Sequence, residues 1–231
     1  MMGYSADEIV SVVITVLLVM FSAVVHEVAH GCAALACGDT TARDARRLTL
    51  DPRAHLDGFG SVLLPLVMAL LGGPVFAFAR PVPYNPSRLR HPRRDELLVA
   101  LAGPGSNLLQ AALGAGVLNL AWDPIVGGVV SGSLPIAAAS LLLQVLTSYV
   151  WVNLVLCFFN LIPLPPLDGS KVVLYFLSGR ARAEFYRLEG YAMPILIIAL
   201  YVLPGLLGFD PLGIYLDRTA GALYDLLMGG L

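Results

Sequence analysis

Three residues of one apolar segment have the types and spacing of a metal site. His26, Glu27 and His30 form the pattern His-Glu-x-x-His inside a run of apolar residues. On a helix, side chains four positions apart lie on one face with their β-carbons about 5–6 Å apart, so two imidazoles can bind one ion. The glutamate lies about 100° around the helix and can act on a water molecule beside that ion. The pattern therefore predicts a metal site with an acid–base residue next to it.

A zinc site of this kind has three protein ligands and an open fourth position, so one more ligand must come from elsewhere in the chain. Asp168 is the candidate, because it ends an apolar run with three prolines, whereas the downstream glutamates lie in charged segments. Prolines at membrane depth are tolerated where the freed backbone lines a cavity or contacts protein. From the residues alone, Asp168 could also be the N-cap of a helix that begins at Ser170. The charge pattern of the loops favours the ligand role.

The elements that carry these residues must lie in lipid. Hydrophobic residues make up 58% of the 231 residues and charged residues 13%, against about 25% charged residues in soluble domains. The formal net charge of −2 provides no general basic surface for a nucleic acid. We predict four transmembrane helices and a C-terminal interfacial helix. The helices are expected at about residues 9–37, 96–121, 136–163 and 191–207, and the interfacial helix at 210–231.

Arginine and lysine residues predict which loops face the cytoplasm, because they concentrate there. They cluster after the first span, after the block 59–79 and after the span 136–163. Since the loops on both sides of 59–79 are basic, we predict that this block is re-entrant; the alternative is a full span with a basic external loop. The same rule places the two histidines and Asp168 toward the cytoplasmic leaflet.

At these residues the sequence resembles the site-2 protease family of intramembrane zinc metalloproteases. Residues 26–30 look like the first motif of that family. Two short segments look like its second motif, Asn160-Leu161-Ile162-Pro163 and Leu167-Asp168-Gly169. The resemblance implies a Zn²⁺ cofactor with Asp168 as the third ligand, and Asn160 as a substrate or oxyanion contact.

The resemblance covers about residues 9–178, and it is to the minimal branch of the family, without PDZ or nucleotide-sensing domains. It implies a prokaryotic cell membrane as the location and a transmembrane helix as the substrate. Because a helix hides its carbonyl groups, the substrate must unwind, and an extended strand of the protease could hold it open. We predict a short extended or β element for this purpose at residues 46–50.

Two more segments look like parts of the same family. In residues 102–107 we expect Gly103 and Gly105 to form a helix-packing face, while the role of Asn107 stays open. Residues 80–86 are interpreted as an extended, proline-stiffened loop near the path of the substrate, or as a plain cytoplasmic turn.

The two remaining histidines are not assigned to the site. His55 is expected to be a solvated loop histidine rather than a competing ligand. His91, beside Pro92 and Arg93, is not expected to take part in catalysis.

Together, these features predict an all-α polytopic membrane protein with about four transmembrane helices and a re-entrant segment. Residues 1–231 form one membrane-embedded peptidase domain, with the catalytic core at about 9–178 and the last span and amphipathic helix at 191–231. The predicted function is zinc-dependent hydrolysis of peptide bonds in transmembrane segments, with Glu27 as the catalytic residue. The expected partners are the lipid bilayer and a transmembrane protein substrate, with no nucleic acid; the oligomeric state is not predicted.

The alternative function is a membrane metal-ion transporter or metal-binding protein that uses the same His and Asp residues. A transporter is expected to have further ionisable residues along a path through the membrane. Apart from the residues above, the predicted spans are nearly free of them.

Overall fold

Three long helices form the body of the protein, for which the computed structural model describes residues 5–56 and 80–229. They are α1 (Ala6–Ala36), α2 (Pro92–Val130) and α3 (Ile136–Asn160). Within these two described ranges, these three continuous helices are long enough and apolar enough to cross a membrane. The predicted re-entrant block, residues 59–79, lies outside the described residues.

The start of α1 follows from its first residues. The Ser5 hydroxyl accepts a hydrogen bond from the Glu8 amide, and the Glu8 carboxylate accepts one from the Ser5 amide. This reciprocal capping satisfies two backbone donors that a helix start leaves free. The apolar residues that follow then carry the helix to the histidine pair.

Helix α2 is longer than predicted. We expected this span to end at about residue 121, but the helix continues through Pro124 to Val130, and only residues 131–135 connect it to α3. In lipid, a single segment can satisfy its backbone hydrogen bonds internally only as a helix. A continued helix is therefore favoured over an irregular linker. At 1.5 Å per residue, its 39 residues extend over about 58 Å.

Two short helices, α4 (Gly169–Phe176) and α5 (Gly179–Glu189), follow α3. Beyond them the chain is helical from Ala192 to Leu207, with a π-helical segment at Ile198–Val202. The axes of α5 and Ala192–Leu207 differ by 78°, and this pair is a fourth span if it is counted as one broken helix. Three of the predicted spans are thus continuous helices, and the fourth, predicted at 191–207, corresponds to the second half of this bent pair.

The last helical residues pack against the bundle. They comprise Pro211–Leu216, a π-helical segment at Asp217–Gly221, and Ala222–Met228. Ala220 is buried in a cluster with Ala111 and Ala115 of α2 and with Val150 and Leu154 of α3. Small residues at these positions let helix backbones approach closely, which is how helices associate in lipid.

The predicted β element is not supported, because the described ranges contain helices, turns and irregular chain but no strand. The chain turns at Arg46 and bends at Thr49, and residues 47, 48 and 50 form no regular structure. Arg46 has a left-handed backbone with φ of 54°, and the Arg47 amide donates to the Ala42 carbonyl. Since that donor is used locally, it is not available to pair with a substrate strand.

Two connecting segments allow a test of the predicted orientation in the membrane. One is the arginine-rich loop before α2, and the other is the linker between α2 and α3. In a cysteine-free background, a cysteine at Ser87 should react with a membrane-impermeant maleimide from the cytoplasmic side, because its loop is rich in arginine. A cysteine at Ser133, in the linker without basic residues, should react from the opposite side. Both serines are exposed, so reactivity reports sidedness rather than burial. Labelling of both cysteines from one side would contradict this orientation.

Candidate active site

His26, His30 and Asp168 converge on one point between α1 and the turn before α4. The two Nε2 atoms are 3.0 Å apart, and the Asp168 Oδ2 atom lies 3.1 Å from that of His26 and 3.3 Å from that of His30. The histidines are one turn apart on α1, whereas Asp168 is more than 130 residues further along the chain. The tertiary structure therefore brings the predicted ligand atoms together.

The second ring nitrogen of each histidine is held by α2. The His26 Nδ1 atom is 2.5 Å from the Asn107 Oδ1 atom, and the His30 Nδ1 atom is 2.6 Å from the Val99 carbonyl oxygen. Because a carbonyl oxygen can only accept, each Nδ1 is the donor. Both neutral imidazoles then have a lone pair on Nε2, which is the tautomer that a metal ligand needs.

Asn107 belongs to a polar circuit that joins the three long helices. Its amide nitrogen donates to Asn153 of α3, and the Asn153 amide nitrogen donates to the Ser22 hydroxyl of α1. Ser22, Asn107 and Asn153 are completely buried. The circuit returns to α1 one turn before His26, so it fixes the helix that carries the histidines.

The role of Asn107 was open in the sequence, and Asn153 and Ser22 were missed. The sequence contains only a weak indication that these residues support the site, because each is a neutral polar residue in an otherwise apolar span. Such residues at membrane depth find partners on neighbouring helices, but a single sequence does not specify which partners.

Gly103 lets α2 approach the histidines. A Cβ atom at this position would overlap the His30 Nε2 atom and lie 2.5 Å from the His26 Nε2 atom. No described residue lies within 4 Å of a Cβ atom placed at Gly105. Within the described part of the chain the predicted packing face is therefore confirmed for Gly103 but not for Gly105, and what Gly103 packs against is the candidate metal site itself.

Asp168 occupies the N-cap position of α4, but its side chain does not cap that helix. The carboxylate faces the two histidines instead, so the N-cap interpretation of its side chain is wrong. Gly169 permits the tight turn, since a Cβ there would lie 2.5 Å from the Ile162 carbonyl oxygen and overlap that of Leu161. The chain can thus fold back over the end of α3 and return Asp168 to α1.

These three side chains fit a zinc ion. Two nitrogen lone pairs and a carboxylate oxygen face one another, and the buried Asp168 Oδ2 atom has no hydrogen-bond donor among the described residues. With both Nε2 atoms unprotonated, such a set of acceptors is stabilised by a cation between them. Tetrahedral zinc with ligands at 2.0–2.1 Å places neighbouring ligand atoms about 3.3 Å apart, close to the measured separations.

Glu27 and Asn160 line the same cavity of about 640 Å³. The Glu27 Oε2 atom accepts a hydrogen bond of 2.8 Å from the Val82 amide. The Asn160 amide nitrogen donates to the Leu156 carbonyl, one turn earlier on α3. Lys171, which the sequence analysis did not single out, also lines the cavity and forms an ion pair with Glu189.

The other two histidines lie elsewhere. The His55 Nε2 atom bonds to the Thr49 carbonyl oxygen. His55 is 1% exposed, so it is a loop histidine as predicted but not a solvated one. The His91 side chain is 70% exposed at the start of α2, 3.9 Å from Asp95.

The fold and the site define a class of protein, a multi-pass membrane protein with the metal site of a metalloprotease. Residues 14–203 match the family model described as Peptidase family M50. The chain therefore belongs to Peptidase family M50, the site-2 protease family, and is a zinc metalloendopeptidase. This membership does not favour the alternative of a metal-ion transporter.

Two relatives agree with this membership. "Putative zinc metalloprotease YwhC" of Bacillus subtilis is 38% identical over 190 residues, which are 82% of this chain and 80% of that protein. "Putative zinc metalloprotease Rip2" of Mycobacterium tuberculosis is 30% identical over 190 residues, covering 82% of this chain and 67% of that protein. No solved structure matches the chain significantly.

Substitution of Gly103 by alanine should weaken zinc binding about 10- to 100-fold, the range found when groups that orient metal ligands are disturbed. The added methyl group would displace the two imidazoles. Gly105→Ala is the matched control, because it places the same methyl group on the same helix in open space. Zinc affinity measured by competition with a chelator checks this, and equal affinities of the two variants would contradict it.

Replacing Asn107 by leucine should lower zinc affinity by a similar factor, because the His26 Nδ1 donor loses its acceptor and the tautomer is no longer fixed. Asn119→Leu is a suitable control, since Asn119 lies on the exposed side of α2 and donates only to Ala115 in its own helix. Chelator competition on both variants, together with thermal unfolding, separates ligand orientation from loss of fold. The prediction is wrong if Asn107→Leu retains wild-type zinc affinity.

Proposed function

We propose that this metalloprotease is an intramembrane endopeptidase that hydrolyses peptide bonds within the transmembrane segments of membrane proteins. The observation that carries this proposal is the position of the metal site on a helix that can span the membrane. At 1.5 Å per residue, His26 lies about 30 Å from the start of α1 and His30 about 9 Å from its end. This position on a membrane-spanning helix supports cleavage of a peptide bond within the bilayer region.

The lining of the cavity supports the same proposal. Apart from the site residues and Lys171, it is mostly apolar, and it includes Val19, Ala23, Leu156, Phe159 and Met193. Side chains of this type suit the apolar residues of a transmembrane segment. They also exclude bulk water from the reacting groups, which strengthens electrostatic interactions there.

In this proposal His26, His30 and Asp168 hold the zinc ion. Bound zinc supplies a Lewis acid that polarises the scissile carbonyl and makes water more acidic. Glu27 takes a proton from the attacking water and then gives it to the leaving amine, first as general base and then as general acid. Asn160 is the proposed substrate contact, because one amide hydrogen bonds within α3 and the other is available to a carbonyl in the cavity.

We further propose that the protein lies in the cell membrane with the site toward the cytoplasmic leaflet. The support is the distribution of basic residues, since the chain that follows α1 carries arginines and so does α5, the helix that follows α4. The ends of α1 and α3 nearest the site are the ends that lead toward these basic segments.

The test is reconstitution with a panel of single-span transmembrane peptides, followed by mass spectrometry of the products. Glu27→Gln should lower cleavage by about 10²- to 10⁴-fold, the usual contribution of a general acid–base group, while zinc content is retained. Asp168→Asn should instead lower zinc affinity. Asp123→Asn, which changes an exposed acid on α2, is the control and should cleave at the wild-type rate.

Two results would overturn the proposal. Products cut only outside the transmembrane segments would show that the site does not act within the bilayer. Zinc flux across the vesicle membrane that Glu27→Gln leaves unchanged, without cleavage by the wild type, would indicate transport instead.

A further inference from the structure

A segment outside the zinc ligands holds the Glu27 carboxylate. This proline segment (residues 80–85) crosses the cavity, which Pro81, Val82 and Tyr84 line. Proline has no backbone N–H, so Val82 carries the one amide donor between Pro81 and Pro83. That donor bonds to the Glu27 Oε2 atom at 2.8 Å.

The Val82 side chain is packed against the zinc-ligand helix. Val82 is 5% exposed, and a Cβ atom at Gly31 of α1 would lie 2.9 Å from its Cγ1 atom. Gly31 directly follows His30, so the proline segment is in close contact with α1 beside the site. Because the proline segment packs against the helix that carries Glu27, the position of the segment determines the position of the Val82 donor relative to the Glu27 carboxylate.

Arg47 contacts the other side of the same peptide group. Its Nη2 atom donates to the Arg80 carbonyl oxygen at 2.7 Å and to the Pro81 carbonyl oxygen at 3.3 Å. The Pro81 carbonyl and the Val82 N–H belong to one peptide unit. A cation thus lies at the carbonyl end of this peptide dipole and an anion at its N–H end, which is the favourable arrangement for both charges.

The electrostatic environment of Arg47 agrees with this arrangement. The residue is 9% exposed. Burial and the neighbouring Arg80 lower the pKa of its guanidinium, and the Glu27 carboxylate acts in the opposite direction. Arg47 therefore lies within the field of the Glu27 charge, although the two side chains are joined only through the backbone of the proline segment.

Both ends of the segment are also attached. The Arg80 amide donates to the His55 carbonyl at 2.8 Å, and the Asn85 amide donates to the Asp39 Oδ2 atom at 2.5 Å. Hydrogen bonds from Thr41 and Asn85 hold the pKa of Asp39 below its usual range, although burial acts to raise it. The ends fix where the segment runs, and Arg47 fixes how the central peptide plane is turned.

We propose that Arg47 is a positioning residue for the catalytic base, acting through the Pro81–Val82 peptide to fix the orientation of the Glu27 carboxylate. This inference rests on the proposed role of Glu27 as general base. A glutamate has several rotatable bonds, and a general base is effective only within hydrogen-bond reach of its proton. With Oε2 held by Val82, the Oε1 atom is kept in one position for the water.

The test compares Arg47→Met with Arg53→Met in the full-length protein in detergent. Arg53 lies in the same loop with an exposed side chain, so it controls for the loss of a loop charge. In Arg47→Met we expect faster amide hydrogen exchange in residues 80–85, and a fall in kcat of about 10- to 100-fold, typical of a misplaced catalytic group. KM and zinc content should stay close to wild type, because neither substrate binding nor the ligands are altered.

The conservative variant Arg47→Lys should recover part of the lost kcat, since an ammonium group can donate to the same two carbonyls. Arg53→Met should leave the exchange rate, kcat and KM unchanged. This pattern separates positioning from a merely structural role, in which activity would fall in proportion to zinc content and lysine would not restore it.

Several outcomes would overturn the proposal. Unchanged exchange in residues 80–85 would mean that Arg47 does not hold the segment, and faster exchange with unchanged kcat would mean that the segment does not position the base. A raised KM at constant kcat would assign the segment to substrate binding. The exchange measurement needs no substrate, so failure of this arrangement is distinguishable from failure of the proposed proteolytic function.

Discussion

The mutual repulsion of three closely spaced acceptors at the candidate metal site is the constraint on which the rest of this structure depends. The Nε2 atoms of His26 and His30 and the Oδ2 atom of Asp168 lie 3.0–3.3 Å apart, so with both Nε2 atoms unprotonated their lone pairs repel one another unless a metal ion lies between them. In an apolar surrounding such repulsion is screened far less than in water. The helices must therefore be held at this point by other interactions, and binding of zinc must convert the repulsion into attraction.

Those interactions come from α2, which carries no proposed zinc ligand. It supplies the acceptors for both Nδ1 donors, Asn107 Oδ1 and the Val99 carbonyl, and the missing side chain at Gly103 that gives the imidazoles their space. The circuit through Asn153 and Ser22 then ties α2 to α3 and back to α1. In lipid, where apolar contact drives helix association weakly, such buried hydrogen bonds and close small-residue contacts are the available means of fixing a geometry.

Ligands and base are positioned by different kinds of structure. Two of the three proposed ligands, His26 and His30, lie on a helix, on which the spacing of side chains is set by the backbone. The Glu27 carboxylate is held by an irregular segment in which prolines leave a single donor and a buried arginine turns the peptide plane. This division lets one short helical motif serve two functions, because the face toward α2 binds the metal and the neighbouring face contacts the proline segment.

The sequence by itself determined the residue types, the membrane setting and the metal chemistry. The spacing of His26, Glu27 and His30 places the two histidines on one face of a helix. Charged residues are rare in the spans, which identified Asp168 as a candidate ligand. These inferences succeed because helical periodicity and the cost of burying charge are local properties. The extent of α2 past Pro124 and the absence of a strand in the described residues were not predicted, because tertiary and lipid surroundings override local turn signals.

Only the tertiary structure decided whether Asp168 caps α4 or faces the histidines, and which neutral polar residues support them. The partners of Asn107 are 81 residues away at His26 and 46 residues away at Asn153. The carbonyls that Arg47 contacts are 33 and 34 residues away. A neutral amide or a loop arginine has the same local signature whether it meets lipid headgroups, water or a catalytic site. The difference arises from packing between helices distant in sequence, which no spacing rule within one segment records.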